Sequence, residues 1–197
     1  MAFTLGLNAQ LRFGAKIGGA VSSLSTKNWE GEKEDRYKAR LGFLLGGMME
    51  YSFTESFALQ PELLYVLNGA KEKEGGDGGR ISLHNIQLPV NLKYKFGVEG
   101  LKFYATAGPY FSLIAGAKVK EGDKTRDLFK EDGGIIKRMD FGLGVGFGVE
   151  IKKIAIGAGY SFGLSNLYKK SSNSEDNGED KNSMKTGTFA LSVGYFF

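Results

Sequence analysis

The chain ends with residues 187–197, GTFALSVGYFF, and this stretch decides the fold class. Large apolar residues occupy every second position, and small or polar residues occupy most of the positions between them. Because successive side chains of a β-strand point to opposite faces, the alternation predicts a strand with one apolar face. The apolar positions are Phe189, Leu191, Val193, Tyr195 and Phe197.

Seven earlier stretches alternate in the same way and, with the last one, predict eight strands. In the fourth stretch Ile81 and Leu83 are out of phase with the later apolar residues, which predicts a β-bulge near Asn85. The composition, with 30 glycines and 3 prolines, also favours strands and tight turns over helices. The seven stretches span residues 12–24, 38–53, 57–67, 81–96, 101–118, 139–151 and 154–167.

The connections between the predicted strands alternate between short and long. Short turns at one end and long polar loops at the other are typical of outer-membrane barrels, and an even strand number allows closure without a free edge. The pattern predicts an all-β fold, an eight-stranded antiparallel up-and-down transmembrane β-barrel with periplasmic termini and extracellular loops. The short turns are residues 54–56, 97–100 and 152–153, and the long loops are residues 25–37, 68–80, 119–138 and 168–186.

Two features favour an apolar face that meets lipid over the apolar interior of a soluble, lipocalin-like barrel. Aromatic residues of the apolar set gather near the short turns, as they do in the interfacial girdles of membrane barrels. The opposite face carries charged residues separated by many glycines, which a solvent-facing surface would not require. Phe147 and Tyr160 are exceptions to the girdle, because they fall in the middle of their strands.

The charged residues of the second face are predicted to fill the lumen. An eight-stranded barrel is just wide enough for side chains to fill, and unpaired charges in a confined interior are costly, so we expect ion pairs. Register counted from the turns predicts Lys16 near Glu50 and Glu62 near Lys93, with the long charged side chains lying against a smooth glycine wall supplied by the later strands. The predicted network comprises Arg12, Lys16, Arg40, Glu50, Glu62, Lys93, Lys95, Asp140 and Glu150.

Six segments carry a further signal through their order and spacing: RFGAKIGGAVSSLS (12–25), FALQPELLYV (57–66), IQLPVNLKY (86–94), KFYATAGPYFSLIAG (102–116), FGLGVGFGVEI (141–151) and GYFF (194–197). Over nearly its whole length the chain resembles the small outer-membrane β-barrel domain of the porin-like superfamily of Gram-negative bacteria. The resemblance implies a location in the bacterial outer membrane but little about activity. It also implies contact with outer-membrane lipid and lipopolysaccharide, and a barrel assembly machinery that reads the C-terminal strand from Phe189 to Phe197 as its signal.

Composition and the N-terminal segment provide expectations about the chain as a whole. Residues 1–9 resemble the end of a secretory signal peptide, so we expect a signal-peptide remnant or a disordered N-terminus there, followed by one monomeric barrel domain at residues 10–197. The chain has no cysteine, which excludes disulfides, thiol catalysis and thiolate metal sites. A net charge of +4 is small beside 26 basic and 22 acidic side chains, so we expect no preference for nucleic acid.

His84 is the only histidine and lies beside Ser82 and Asn85 near the loop end of the fourth strand. Some outer-membrane barrels are enzymes that use histidine with serine or carboxylates at this end. The simpler interpretation is a solvated histidine, and one histidine without cysteine gives no zinc site.

Other motifs also favour structural interpretations over chemical ones. Glu50 and Glu62 have the residue type of an acid and base pair, but neighbouring lysines favour ion pairs instead. GLGVGFG at residues 142–148 lacks the glycine spacing of a dinucleotide-binding loop. SEDNGED at residues 174–180 offers oxygen ligands for Ca²⁺, yet it lacks the terminal glutamate of an EF-hand and is typical of an acidic loop.

We therefore expect an integral outer-membrane protein without cofactor, metal or enzymatic activity. The leading hypothesis is a structural barrel, or one that displays its four long loops for recognition, because loops on a rigid scaffold commonly carry binding function. A small or gated porin for ions and small solutes is the first alternative. An outer-membrane enzyme using His84 and a soluble ligand-binding barrel are the others.

Overall fold

The structure is a computed structural model that describes residues 10–27, 33–34, 37–72, 80–121, 124–127, 138–165 and 183–197. No helix in these ranges is long and apolar enough to cross a membrane. The strands in these ranges are β1 (Gln10–Lys27), β2 (Lys33–Glu34), β3 (Tyr37–Ser52), β4 (Phe57–Glu72), β5 (Arg80–Val98), β6 (Leu101–Glu121), β7 (Lys124–Asp127), β8 (Met139–Ile151), β9 (Ile154–Gly163) and β10 (Ser183–Phe196).

The predicted eight-stranded barrel is confirmed, with β2 and β7 as short additional strands beside β1 and β6. Four barrel strands continue at least three residues further toward the long loops than the pattern predicted, since β1, β4 and β6 end at Lys27, Glu72 and Glu121 and β10 begins at Ser183. The apolar alternation fades there while the backbone pairing continues, so the sequence pattern understated their length. β9 ends at Gly163, whereas the pattern predicted an end at residue 167. The reason is that the backbone N–H groups of Leu164 and Ser165 both donate to the carbonyl of Phe141.

Every barrel strand pairs with its neighbours in antiparallel fashion, and β10 pairs with β1, so the sheet closes without a free edge. Following paired residues once around the barrel from Val21 leads back to Leu11, ten residues away along β1. A stagger of this kind accompanies a strand tilt of roughly 35–45°. The path runs through Phe189, Tyr160, Val145, Ala107, Leu92, Leu59 and Tyr51.

The apolar face of the sheet lies outside and the charged face inside, as predicted. Leu88, Val145 and Leu191 are 45%, 49% and 58% exposed on the outer surface. Glu62 and Lys93, in contrast, are only 4% and 1% exposed in the interior. This arrangement suits lipid, because a water-soluble barrel would bury the first set and expose the second.

Aromatic rings form a continuous belt around part of the short-turn end. The ring centroids of Phe57 and Tyr94 are 5.1 Å apart, those of Tyr94 and Phe96 5.8 Å, and those of Phe96 and Phe103 5.7 Å. A second aromatic group lies nearer the long loops, where Phe43 packs against Tyr65 and Tyr160 against Phe162. Aromatic residues near both ends of the apolar surface are typical of a barrel that spans a bilayer.

The predicted irregularity near Asn85 is present, but the extra residue lies on the partner strand. His84 pairs with Gly116 and Asn85 pairs with Ile114, so Ala115 of β6 is the unpaired residue. β5 therefore keeps its alternation, and Leu83 is buried inside the barrel instead of joining the outer apolar set. Parity along one strand cannot show which of two paired strands carries a bulge.

Candidate functional site in the lumen

Glu50 is the centre of an ionic cluster at the short-turn end of the lumen. Its side chain is fully buried, and it accepts hydrogen bonds from three cations on two different strands. Arg12 Nη2 lies 2.8 Å from Oε1, Lys93 Nζ lies 2.8 Å from Oε2, and Lys95 Nζ lies 2.7 Å from Oε1. Ser52 Oγ donates to the same carboxylate at 3.2 Å and accepts from Lys95 at 2.8 Å.

Glu150 extends the cluster to the opposite wall of the barrel. Arg12 Nη1 lies 2.6 Å from Glu150 Oε1, and Lys93 Nζ lies 3.2 Å from Glu150 Oε2. Salt bridges thus connect side chains from β1, β3, β5 and β8 across the interior. We call Arg12, Glu50, Lys93, Lys95 and Glu150 the ion-pair network; it contains three positive and two negative side chains.

Lys16 and Glu62 form a separate pair, with 2.5 Å between Lys16 Nζ and Glu62 Oε1. The predicted pairs, Lys16 with Glu50 and Glu62 with Lys93, are wrong, since Lys93 bonds to Glu50 instead. The stagger of the barrel is the reason. The backbone pairs lead from Lys16 through Gly46 to Leu64, which lies on the same inner face as Glu62 and only two residues from it.

Arg40 and Asp140 complete the predicted set of lumen charges. The side chain of Arg40 lies outside the described part of the structure. Asp140 is buried nearer the long loops, where the hydroxyl groups of Tyr110, Thr186 and Ser165 donate to its carboxylate. The Tyr110 and Thr186 hydroxyl oxygens lie 3.3 and 3.2 Å from Oδ2.

Aromatic side chains inside the lumen support the cations, and the sequence analysis missed this role. The guanidinium carbon of Arg12 lies 3.8 Å from the ring centroid of Phe196, and Lys93 Nζ lies 4.4 Å from the ring centroid of Tyr104. Both contacts have the geometry of cation–π interactions. Tyr104 is two residues from Lys102 and Phe196 is two residues from Gly194, so each ring is on the inner face of its strand. This alternation was the signal in the sequence that could have revealed the role.

The glycine wall is present, but tyrosines lie against it where long charged side chains were predicted. An added Cβ at Gly148 or Gly157 would overlap the hydroxyl of Tyr104, and one at Gly142 would come within 2.6 Å of the ring of Tyr110. These glycines therefore provide space for rings from β6, the neighbouring strand of β8. The charged groups lie one layer further inside, with Lys93 over Tyr104.

Replacing Gly148 with alanine is expected to lower the free energy of unfolding by about 1–3 kcal/mol, as overpacking does in other interiors. The new methyl group would overlap both the carbonyl oxygen of Ile156 and the Tyr104 hydroxyl. Gly144→Ala is the matched control in the same strand, because the nearest atom, Ser161 Oγ, would be 3.8 Å away. Urea unfolding of the refolded variants in detergent measures both effects; equal stabilities would contradict the packing described for Tyr104.

A cavity of about 130 Å³ lies in the lumen on the long-loop side of the ion-pair network. Leu44, Leu64 and Val66 form an apolar patch on its wall, and the rest of the lining mixes polar side chains with apolar ones such as Met48 and Phe196. A smaller cavity of about 30 Å³ lies nearer Asp140 and shares Gln87 with the first. The larger cavity has room for water, and polar side chains on its wall offer water hydrogen-bond partners. Polar side chains lining the larger cavity include Gln60, Gln87, Asn91, Thr106, Ser161 and Thr188.

Gln60 has an unusual position beside this cavity. Its Nε2 donates to Glu62 Oε1 at 2.5 Å, whereas its buried Oε1 has no hydrogen-bond partner in the described structure. A buried amide oxygen without a partner is costly, and an ordered water is the usual remedy.

His84, the candidate catalytic residue, lies on the outer surface of the barrel rather than in the lumen. Its Nδ1 is 2.5 Å from the hydroxyl oxygen of Tyr65, and the two ring centroids are 6.1 Å apart. No group of three or more His, Cys, Asp or Glu side chains in the described ranges is placed to hold a metal ion. The acidic segment at residues 174–180 and the N-terminal residues 1–9 lie outside those ranges.

The C-terminal apolar residues all lie on the outer face of β10 or immediately after it. They are 42–73% exposed, and their role as an assembly signal stays a prediction. The residues are Phe189, Leu191, Val193, Tyr195 and Phe197.

Comparison with known proteins agrees with this architecture. The model of a family described as outer membrane protein beta-barrel domain matches residues 7–169. No curated protein matches the chain.

Several solved outer-membrane barrels are similar in structure. OprG from Pseudomonas aeruginosa is 15% identical with a TM-score of 0.54, covering 96% of this chain and 97% of its own. Ail of Yersinia pestis is 20% identical with a TM-score of 0.48, covering 95% and 99%, respectively. The outer membrane enzyme PagL is 14% identical with a TM-score of 0.48, covering 91% and 98%. At such identities the likeness to solved structures shows the fold alone.

Proposed function

Because this chain belongs to the outer membrane protein beta-barrel domain family, we propose that it is a non-enzymatic scaffold of the bacterial outer membrane with an occluded lumen. Its long connections are the recognition elements, since loops on a rigid barrel are free to vary and to bind. In this proposal the short turns and both termini face the periplasm, and the long connections face outward. The barrel assembly machinery is the proposed partner during insertion.

The ion-pair network is the observation that supports an occluded lumen. Glu50 and Lys93 are almost completely buried, and their bonds with Arg12 and Glu150 connect opposite walls. In an interior only wide enough for side chains, such bridges leave little room for a hydrated ion. Removing either member of a pair exposes its partner to a large desolvation cost, which favours the closed arrangement.

A small gated pore is the second candidate, and the two cavities favour it. They share Gln87, Tyr110 and Thr188 in their linings, so the two cavities adjoin each other between Asp140 and the ion-pair network. Rearrangement of the network would be the only gate needed in the described part of the lumen.

Conductance in a planar lipid bilayer tests the proposed function. We expect no steady conductance from the wild-type barrel, because the ion-pair network crosses the lumen. A large and steady conductance would contradict the scaffold proposal. Brief openings that become frequent in the Arg12→Ala variant, which loses bonds to both Glu50 and Glu150, would support the gated pore instead.

The surroundings of His84 support a non-catalytic role. The Tyr65 hydroxyl engages Nδ1, the ring nitrogen that a carboxylate would orient in a typical hydrolytic triad. The His84→Gln variant is therefore expected to leave the outer-membrane lipid composition of producing cells unchanged.

A further inference from the structure

The larger lumen cavity is a slot between two unlike walls. Leu44, Leu64 and Val66, on β3 and β4, form the apolar patch on one side. The glycine wall belongs to β8 and β9, which are four strands away from β3 and β4, respectively, in either direction around the barrel. The apolar patch and the glycine wall therefore face each other across the lumen, and both line the cavity.

The glycine wall carries no side chain where it borders this cavity. A Cβ added at Gly144 would have Ser161 Oγ of the neighbouring strand as its nearest described atom, 3.8 Å away. At Gly159 the described atoms within 4 Å of an added Cβ all belong to β8. No described residue of the opposite wall comes closer than 4 Å to either position, so the slot is open on this side.

The rings of Tyr104 and Tyr110 border the two ends of the cavity. Tyr104 lies against Gly148 and Gly157 toward the short turns, and Tyr110 lies against Gly142 toward the long loops. Aromatic rings pair favourably in offset stacks or edge to face. Two rings, a flat wall and an apolar patch together suit a planar aromatic ligand.

The volume of the cavity matches one small ring. At about 130 Å³ it is close to the cavity of about 150 Å³ that holds a benzene molecule in another protein. Pockets for drug-sized ligands are larger, at about 300–1,000 Å³, so only a small molecule fits here.

Gln60 determines the polar group that such a ligand needs. It lines the cavity, and its Nε2 donates to Glu62 while its buried Oε1 has no hydrogen-bond partner. The terminal torsion of a glutamine is soft, so a small rotation of the amide turns Oε1 toward a donor in the cavity. A ligand with a hydroxyl or N–H group would satisfy this acceptor, which is otherwise costly to bury.

The charged side chains at the cavity favour a neutral ligand. Lys16 is paired with Glu62, and Lys93 is paired with both Glu50 and Glu150. A charged ligand would have to break one of these buried pairs, which is strongly unfavourable. A neutral ligand leaves all of them in place.

We propose that the lumen cavity is a binding site for a small, neutral aromatic molecule of about the size of phenol that carries one hydrogen-bond donor. Its ring lies between the apolar patch and the glycine wall, and its donor bonds to Gln60 Oε1. The cavity is on the long-loop side of the ion-pair network, so binding requires no opening of the network. The site is also independent of what the long connections bind.

Methyl NMR of the full chain, refolded in detergent micelles at a series of phenol concentrations, tests the proposal. Refolding with the ligand removes any dependence on an entry route. We expect the methyl signals of Leu44, Leu64 and Val66 to shift and to saturate, with half-saturation at about 1 mM, the order expected for a ligand of this size. The exposed methyl groups of Leu63 and Leu191 report phenol in the micelle, and their shifts should not saturate.

Variants that fill the slot provide the second part of the test. Gly144→Leu should abolish the saturable shifts, because the new side chain occupies the space of the ligand. Gly19→Leu is the matched control and should keep wild-type binding, since a Cβ at this exposed position on the outer face meets nothing within 4 Å. Ser161→Leu, which also changes the cavity wall, serves as the blocking variant if Gly144→Leu does not refold.

Toluene tests the requirement for a donor, because it has nearly the shape of phenol but cannot donate a hydrogen bond. We expect the ratio of phenol affinity to toluene affinity to fall about three- to tenfold in Gln60→Met, which keeps the side-chain length but removes the acceptor. Comparing ratios cancels the difference in hydrophobicity between the two ligands. An unchanged ratio would overturn the donor requirement that defines the ligand class.

Two results would overturn the site itself. Inner methyl signals that do not respond to phenol would mean that the cavity holds water alone. Saturable shifts that persist in the blocking variant would place the ligand somewhere other than the slot.

Discussion

The Glu50→Gln variant is expected to lose about 3–5 kcal/mol of unfolding free energy, the range found when one partner of a buried ion pair is removed. Three cations donate to this carboxylate, and all four side chains lie at the short-turn end of the lumen. Glutamine has nearly the same shape, so packing is retained while the negative charge is lost. The ion-pair network would then hold three positive charges against Glu150 alone.

Urea titration of the refolded barrel in lipid vesicles, followed by intrinsic fluorescence, measures this loss. Glu99→Gln is the matched control, because Glu99 lies exposed in the turn between β5 and β6 and an exposed charge contributes little. A Glu50→Gln barrel as stable as the control would show that the network is not a source of stability.

The Phe196→Ala variant should lose about 3–5 kcal/mol of unfolding free energy, as large truncations of buried aromatic residues do. Phe196 is 1% exposed and packs with Met48 and Ala155, and its ring lies beneath the guanidinium of Arg12. Truncation would therefore remove core packing and a cation–π contact together.

The neighbouring Phe197→Ala variant separates stability from assembly. Phe197 is 73% exposed on the outer side, so its truncation removes no interior packing and should lower the stability of the refolded barrel by less than Phe196→Ala does. If the C-terminal apolar residues act as an assembly signal, this variant should instead reach the outer membrane of cells less efficiently. Equal losses of refolded stability in both variants would contradict the inward and outward placement of the two rings.

The outer surface was the most predictable part of the fold, because lipid selects apolar side chains at every second residue. Leu88, Val145 and Leu191 lie where period-two alternation predicts. The inward placement of Glu50 and Lys93 followed from the same parity. Alternation predicts which face of the sheet a side chain is on, and this prediction is accurate wherever the two faces differ in polarity.

Partners across the lumen were less predictable, because they depend on the stagger of the closed sheet. No local pattern reports that stagger, so Lys16 was predicted to pair with Glu50 when it pairs with Glu62. Buried rings such as Tyr104 were missed for a different reason. Alternation places an aromatic residue and a small residue on the inner face in the same way, so it cannot show that a ring fits there. Only the structure shows that Gly148 and Gly157 leave the space for the ring.

Arg12 belongs to the first strand of the barrel, while Glu150 belongs to β8 and the ring beneath its guanidinium comes from β10. During biogenesis, hairpins that form early therefore carry cations that lack some of their partners, Glu150 and the Phe196 ring, until the end of the chain arrives. A half-built sheet gains little from them and exposes them to a hydrophobic surrounding. Insertion should consequently be all-or-none, and stalled intermediates would be the species most open to periplasmic proteases.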